Sequence, residues 1–388
     1  MSIEEKTIQD SLKDILDKRK QASLYRSLQV NTGLIDFCSN DYLSFSRSPI
    51  IQEKLKEITA SLPSLSGATG SRSISGNTAF AEELERDIAS FHQAEAGLIF
   101  NSGYDANLGL FSCLARKDDY LITDELIHAS IIDGCRLSYA NRLRFAHNDA
   151  ADLEKKLRKA RQNTGASHAN IFVAVESVYS MDGDMAPLTE LISICKTYNA
   201  HLIVDEAHAT GVFGSKGRGL VSALGLENDV FARIHTFGKA IGSHGAIIIG
   251  SRVLREYLVN FARSFIFTTA LPLHSLATVR SAYEVLQSES FSNKALHDLV
   301  ARFRKDFHSP EDVYLIESSS PIQSLVIPGA ERAKKIAAIL QARGFDIRAI
   351  VSPSVPAGLE RLRISLHLHN TEAQADELKH SLQQIFFS

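Results

Sequence analysis

Two residues, an acid at a strand end and a lysine before a glycine-rich turn, have the types and spacing to hold and activate an aldehyde. They are Asp205, in VDEAHATGVFG, and Lys239, in HTFGKAIGSHGAIIIG. Asp205 closes the apolar run HLIV (201–204), and sheets of α/β proteins place ligand groups just past the carboxyl ends of their strands. An acid there can hold a buried cation, and His208, three residues on, can donate to an oxygen beside it. The competing reading makes Asp205 a helix N-cap and His208 structural. Lys239 sits among Thr236, Gly238 and Gly242 with no carboxylate near it in sequence. Most lone lysines are solvated surface charges, but an amine between a strand end and a glycine turn can be desolvated. Its pKa then falls and it can form a Schiff base. One strand–helix–strand step separates Asp205 from Lys239, so both can reach one cleft. A third segment, NSGYDANLGL, opens a helix at Gly103 and Tyr104 after the strand-like GLIF, and N–H groups at a helix start bind phosphate. A phosphate cradle, an acid for a ring cation and an aldehyde-trapping amine are together what pyridoxal phosphate chemistry requires.

Other chemistries lack their parts. The DEAH tetrapeptide also occurs in helicases, but these need a GxxxxGK[ST] phosphate loop and the chain has none. HExxH, GxSxG and GxGxxG are absent as well, and no metal site is expected. Cys38, Cys113, Cys135 and Cys195 are scattered, with no CxxC pair, which fits neither a disulfide framework nor a zinc ribbon. Lys+Arg 42 against Asp+Glu 45 gives a net charge of −3, against broad binding to nucleic acid or anionic membrane. The densely charged start, MSIEEKTIQDSLKDILDKRK, has no signal-peptide character. The longest charge-free run, between Arg263 and Arg280, contains Pro272 and His274 and is too short to span a bilayer. A cytoplasmic protein is the simplest expectation.

The elements that must position these residues follow from periodicity. Residues 1–24 read as an amphipathic helix with Ile8, Leu12, Ile15 and Leu16 on one stripe. An extended piece, LIDFCSNDYLSF, and the Gly/Ser-rich stretch 64–77 follow. Then short apolar runs, GLIF, IFVAV (171–175), HLIV and AIII (246–249), alternate with helical segments such as TAFAEELERDIASF and LTELISICKTYN. That alternation predicts βαβ units and a mainly parallel sheet. After about residue 280 the character changes: a long helix to about 307, then IQSLVI, a helix ending at Gly344, DIRAIV, RLRISL, and a last helix with a capping box at Thr371 and Gln374. The 388 residues therefore divide into an arm (1–50), a large domain (51–280) and a small α+β domain (281–388).

Ordered blocks along nearly the whole chain carry a resemblance: SNDYLSF, GSRSISGN, FNSGYDAN, HASIIDG, ESVYSMDGD, VDEAHATGVFG, TFGKAIG, FIFTTALP and VPAGLERLRIS. In these the chain resembles the α-oxoamine synthases, a family of fold type I pyridoxal phosphate enzymes. The resemblance implies an α/β fold: a large domain with a mainly parallel seven-stranded sheet and a smaller C-terminal α+β domain. It also implies a homodimer with a composite active site. The activity implied is that of an acyltransferase joining an amino acid to an acyl thioester with loss of carbon dioxide. GSRSISGN and VPAGLERLRIS are most similar to members that join L-alanine to a pimeloyl thioester, carried on coenzyme A or a carrier protein. Sister activities use glycine or serine with acetyl, succinyl or long-chain thioesters. A rival of another class is an aminotransferase or lyase.

Carried over residue by residue, the resemblance makes Lys239 the cofactor lysine and Asp205 the acid that keeps the pyridine nitrogen protonated. His208 and Ser180 become partners of the ring's phenolic oxygen, and His128 the imidazole on the ring face. Gly103, Tyr104 and Thr236 contact the phosphate. Thr268, or the adjacent Thr269, reaches it from the neighbouring subunit. Arg363 binds the amino-acid carboxylate, a contact that suits a guanidinium, although RLRIS puts Arg361 on the same strand face. Arg26, Ser354 and Asn40 match substrate contacts, with a solvated face as the other reading for Arg26. Between Arg26 and SNDYL the chain is short where many relatives carry a longer insertion, which bears on the acyl donor.

Overall fold

Runs rich in Ile and Val need both faces covered, and the computed structural model places them at the centre of one sheet. It describes residues 7–387 except 23, 29, 31–32, 64–66 and 165–168. The strands are β1 (Ala96–Phe100), β2 (Tyr120–Asp124), β3 (Asn141–Phe145), β4 (Ile171–Glu176), β5 (His201–Asp205), β6 (Ala232–Thr236) and β7 (Ala246–Gly250), in the order β1-β7-β6-β5-β4-β2-β3. All neighbours are parallel except β7, which runs antiparallel to both β1 and β6. Alternation divides the core between the two faces. Ile203, Ile234 and Ile248 pack on one side, and Val204, Ile247 and Ile249 on the other.

Three strands lie outside the apolar runs named above. NRLRF forms the edge strand β3, where Asn141, Arg142 and Arg144 are exposed. ARIHT, as β6, is central yet carries three polar residues, Arg233, His235 and Thr236. Arg233 and His235 are buried on the face opposite Ile234, where Arg233 donates to the carbonyl of His92 and His235 bonds to Thr210.

A second sheet, wholly antiparallel, forms from β8 (Tyr314–Leu315), β9 (Ile322–Val326), β10 (Arg348–Ile350) and β11 (Arg361–Ser365), in the order β10-β11-β9-β8. Its core joins Leu325, Leu362 and Ile364 to Leu340, Leu378 and Leu382. The arm enters this core too: Ile35–Asp36 pairs in parallel with Phe345–Asp346, and Phe37 is fully buried there. The long helix expected to reach 307 is two helices, α2 (Leu273–Gln287) and α3 (Lys294–Arg304). The Ser- and Asn-rich link SESFSN interrupts it. Ser288 turns to extended backbone, and Asn293 donates to the carbonyl of Val212.

The N-terminal helix α1 (Ile8–Gln21) is shorter than its pattern, residues 1–6 and 23 lying outside the description, as do 64–66 of the Gly/Ser-rich stretch. It has a Thr7–Asp10 capping box but no buried residue. A helix of this length is marginal on propensity alone, so its Ile8, Leu12, Ile15 and Leu16 stripe contributes nothing to the core of this chain. Among the described residues no helix is long and apolar enough to cross a membrane.

The two sheets meet at the loop after β4. Gly183 sits there at φ +78, and a Cβ would strike the carbonyl of Ile322 at the start of β9. Gly183→Ala should therefore lower stability by at least about 2 kcal/mol, combining the left-handed backbone cost with a clash against main chain. Thermal or urea unfolding measures this, and an unchanged midpoint would show that the loop is not held as described.

Candidate active site

Parallel register brings three strand ends together. Glu176 lies opposite Asp205, and Asp205 opposite Ile234, two residues before Thr236. The chain leaves β6 at Thr236 and doubles back after Lys239. Gly242 makes this turn at φ +66, with the backbone of Phe45 and Ser46 too close for any side chain. Lys239 Nζ thereby lies 2.7 Å from His208 Nε2.

Burial drives the Lys239 pKa down to about 8, against the opposing charges of Asp205 and Glu176. Burial also holds His208 well below its ordinary pKa, with the Lys239 charge adding to the effect. A neutral His208 accepts from Lys239 through Nε2 and donates from Nδ1 to the Tyr42 hydroxyl at 2.7 Å. Tyr42 in turn donates to Asn40 Oδ1 at 3.0 Å, which also accepts from Arg363 Nη2 at 2.9 Å. A continuous hydrogen-bonded chain thus runs from the lysine to the guanidinium on β11.

Asp205 is not a helix N-cap, because the residues after it form turns. One carboxylate oxygen accepts from the N–H of Ala207 at 2.9 Å and the other from Asn107 Nδ2 at 2.8 Å. Asn107 also donates to Ser130 Oγ, which bonds to His128 Nδ1 at 2.7 Å. His128 does stand at a helix start, capping Ala129–Leu137, but it is partly buried and tied through this relay to Asp205. Its pKa is lowered by burial, with the Asp205 charge opposing.

Gly103 opens the helix Gly103–Leu114, and a Cβ on it would sit 3.4 Å from Thr236 Oγ1. The first N–H groups of a helix have no acceptor within it, so this start faces Thr236 with donors to spare. The Tyr104 ring is exposed and its hydroxyl donates to Asp133. Thr268 Oγ1 accepts from Asn101 Nδ2 at 2.8 Å, and the Thr269 carbonyl from the same amide at 2.9 Å, so both lie beside this helix start.

The two arginines of RLRIS separate in space. Arg363 Nε donates to the carbonyl of Ser180 at 2.6 Å, within the cluster that contains Asn40 and Tyr42, whereas Arg361 pairs with Asp182. Ser180 enters the site through its backbone, its N–H donating to Glu176 Oε2 at 3.2 Å. Arg26 and Ser354 meet at 3.4 Å on the exposed rim of a cleft lined by Ile127, His128, Met181, Val355 and Pro356. Three residues of this constellation had no role in the sequence reading: Asn107, Tyr42 and Glu176. Each stands inside a quoted block, FNSGYDAN, SNDYLSF or ESVYSMDGD, but none has a spacing that announces its partner. Glu176 is fully enclosed, and burial followed by the nearby Asp205 charge raises its pKa to about 8. Its Oε1 and Asn107 Oδ1 have no partner among the described residues.

Comparison with known proteins agrees along the chain. The sequence profile of the family "Aminotransferase class I and II" matches residues 32–382. An 8-amino-7-oxononanoate synthase of Emericella nidulans is 43% identical, covering 96% of this chain and 94% of its own. Another, of Marinobacter nauticus, is 38% identical over 97% and 96%. Among solved structures, a Sphingomonas wittichii serine palmitoyltransferase superposes with TM-score 0.87 at 28% identity, covering 97% of this chain and 98% of its own. An 8-amino-7-oxononanoate synthase of Francisella tularensis gives TM-score 0.76 at 28% identity, covering 92% and 98%. The backbone alone does not separate these two activities; the higher sequence identities do.

Treatment with an amine-directed reagent across pH, read by peptide mass spectrometry, should modify Lys239 with a midpoint near 8. Surface lysines should titrate near ~10. Asp205→Asn removes a charge that favours the ammonium, so the midpoint should fall further. A midpoint that stays or rises contradicts the proximity of these groups.

Proposed function

The chain belongs to the class I and II aminotransferase family, beside its 8-amino-7-oxononanoate synthase relatives, and on that basis we propose that it condenses L-alanine with a pimeloyl thioester, releasing carbon dioxide and free thiol. The observation that carries this reading is the enclosure of the Lys239 amine beside Asp205, within hydrogen-bonded reach of Arg363. The residues present fit pyridoxal phosphate. Near one another at the strand ends stand an amine of lowered pKa, an acid tied to Asn107, a helix start facing Thr236, and two buried oxygens without a partner among the described residues. When bound, this cofactor supplies an aldehyde for the lysine amine and a protonated ring that accepts electrons from the amino acid's α-carbon.

Lys239 would hold the cofactor aldehyde, and its free amine would take the amino acid's α-proton at Nζ, a task matched to an amine whose pKa lies near neutrality. Asp205 keeps the ring nitrogen protonated, with Asn107 fixing the orientation of its carboxylate. His128 would lie against the ring, and His208 and Ser180 would partner its phenolic oxygen. The N–H groups of Gly103 and Tyr104, with Thr236, take the phosphate. Arg363 binds the alanine carboxylate, assisted by Asn40, while Arg26 and Ser354 border the entry of the acyl chain.

The same reading makes the protein a cytoplasmic homodimer with an arm, a cofactor domain and a small domain. Phe267, next to Thr268 in sequence, and Ile74, near Gly70 whose carbonyl accepts from the Ala270 N–H, are strongly exposed for apolar residues, which supports a subunit contact there. Purified protein given L-alanine and pimeloyl thioester should release thiol and carbon dioxide, and Lys239→Ala should abolish both. Formation of a keto acid instead would favour transamination. Preference for serine with a long-chain thioester would favour the activity of the structurally similar palmitoyltransferases. Normal turnover in Lys239→Ala would sink the assignment.

A further inference from the structure

The loop that follows β4 is gripped at every residue from 180 to 184. The Ser180 carbonyl accepts from Arg363 Nε, the Met181 carbonyl from Ser324 Oγ, the Asp182 carboxylate from Arg361, and the Gly183 carbonyl from Ser318 Oγ. All four donors belong to the small sheet or the segment leading into it. Asp184 is held from the other side. His147, just after β3, places Nε2 2.7 Å from Asp184 Oδ2 and Nδ1 2.9 Å from Asp124 Oδ1 at the end of β2. Asn148 donates to the same Asp184 oxygen at 2.8 Å.

We infer that His147 is a positioning residue for the amino-acid site: it clasps Asp184 to Asp124 and so fixes the loop whose Ser180 carbonyl orients Arg363. This rests on the reading that Arg363 binds the amino-acid carboxylate. Carboxylates face both ring nitrogens, so both must donate and the ring must be an imidazolium. Burial alone would lower its pKa, but the hydrogen bonds and charges of Asp124 and Asp184 outweigh it and raise the value to about 9. The other groups around the ring are the Tyr179 ring, packed edge-on at 4.4 Å, and Glu125, which accepts from the His147 backbone N–H. Asp182 lies close enough for His147, Asp182 and Asp184 to share a metal ion, but Arg361 and the imidazolium already supply positive charge to those carboxylates. Among the described residues neither His147 nor Asp184 hydrogen-bonds to Lys239, Asp205 or Arg363, so the clasp acts through the loop on Arg363 and not on the reacting atoms.

The test compares L-alanine with ethylamine, which lacks the carboxylate, binding to cofactor-loaded enzyme as followed by cofactor absorbance. Arg363→Lys should reduce the preference for alanine. His147→Gln should reduce it about tenfold, the scale of one misaligned charge-assisted contact, while ethylamine binding and the melting midpoint stay near wild type. Asp184→Asn, a smaller change to the same clasp, should shift the preference in the same direction. Adding His147→Gln to Arg363→Lys should cause no further loss. If Arg363→Lys lowers the preference but His147→Gln leaves it intact, the clasp is overturned. Equal weakening of both amines, or additive losses in the double variant, overturns it as well. An intact preference in Arg363→Lys overturns the carboxylate reading itself, and the clasp with it.

Discussion

Keeping an amine buried and reactive is the constraint around which this structure is arranged. An ammonium taken out of water loses its proton unless negative charge lies near, and too much nearby charge would keep it permanently protonated. Here Lys239 stands against a neutral imidazole, with two carboxylates at the ends of adjacent parallel strands. The balance leaves its pKa near 8, where both protonation states are accessible. The parallel sheet matters because only aligned strand ends deliver Glu176, Asp205 and Thr236 to one edge without long loops.

From that point the polar network spreads in two directions. Toward the large sheet, Asn107 links Asp205 to Ser130 and His128, so the acid and the imidazole are fixed by the same amide. Toward the small sheet, His208, Tyr42 and Asn40 connect the lysine to Arg363. Tyr42 comes from the arm, whose neighbouring residues pair with the C-terminal unit. Arm, large sheet and small sheet therefore converge on the site, and none of them contains the whole of it.

The buried sequence patterns transferred directly into structure. Short Ile- and Val-rich runs have one stable home, a sheet covered on both faces, and glycine with a strand-end acid marks where such strands stop. Strands rich in polar residues were illegible for the same reason. NRLRF could be an edge strand or a solvated helix, and ARIHT hides its strand behind an Arg and a His that are buried only because the fold supplies His92 and Thr210 as partners. The expected long helix failed at SESFSN, where side-chain contacts with a distant carbonyl outweigh local helical periodicity.

Sequence by itself determined the class of chemistry: a lysine and an acid one strand–helix–strand step apart, a glycine-opened helix, and family blocks along nearly the whole chain. These are local or additive signals, readable from residue type and spacing. Alternation puts Arg361 and Arg363 on one strand face and family resemblance favoured Arg363; only tertiary structure shows their different surroundings, an aspartate for Arg361 and the Ser180 carbonyl for Arg363. It alone revealed Tyr42, Asn107, Glu176 and His147. Their roles depend on partners tens or hundreds of residues away, and charge and hydrogen-bonding act through distance in space, which no spacing along the chain encodes.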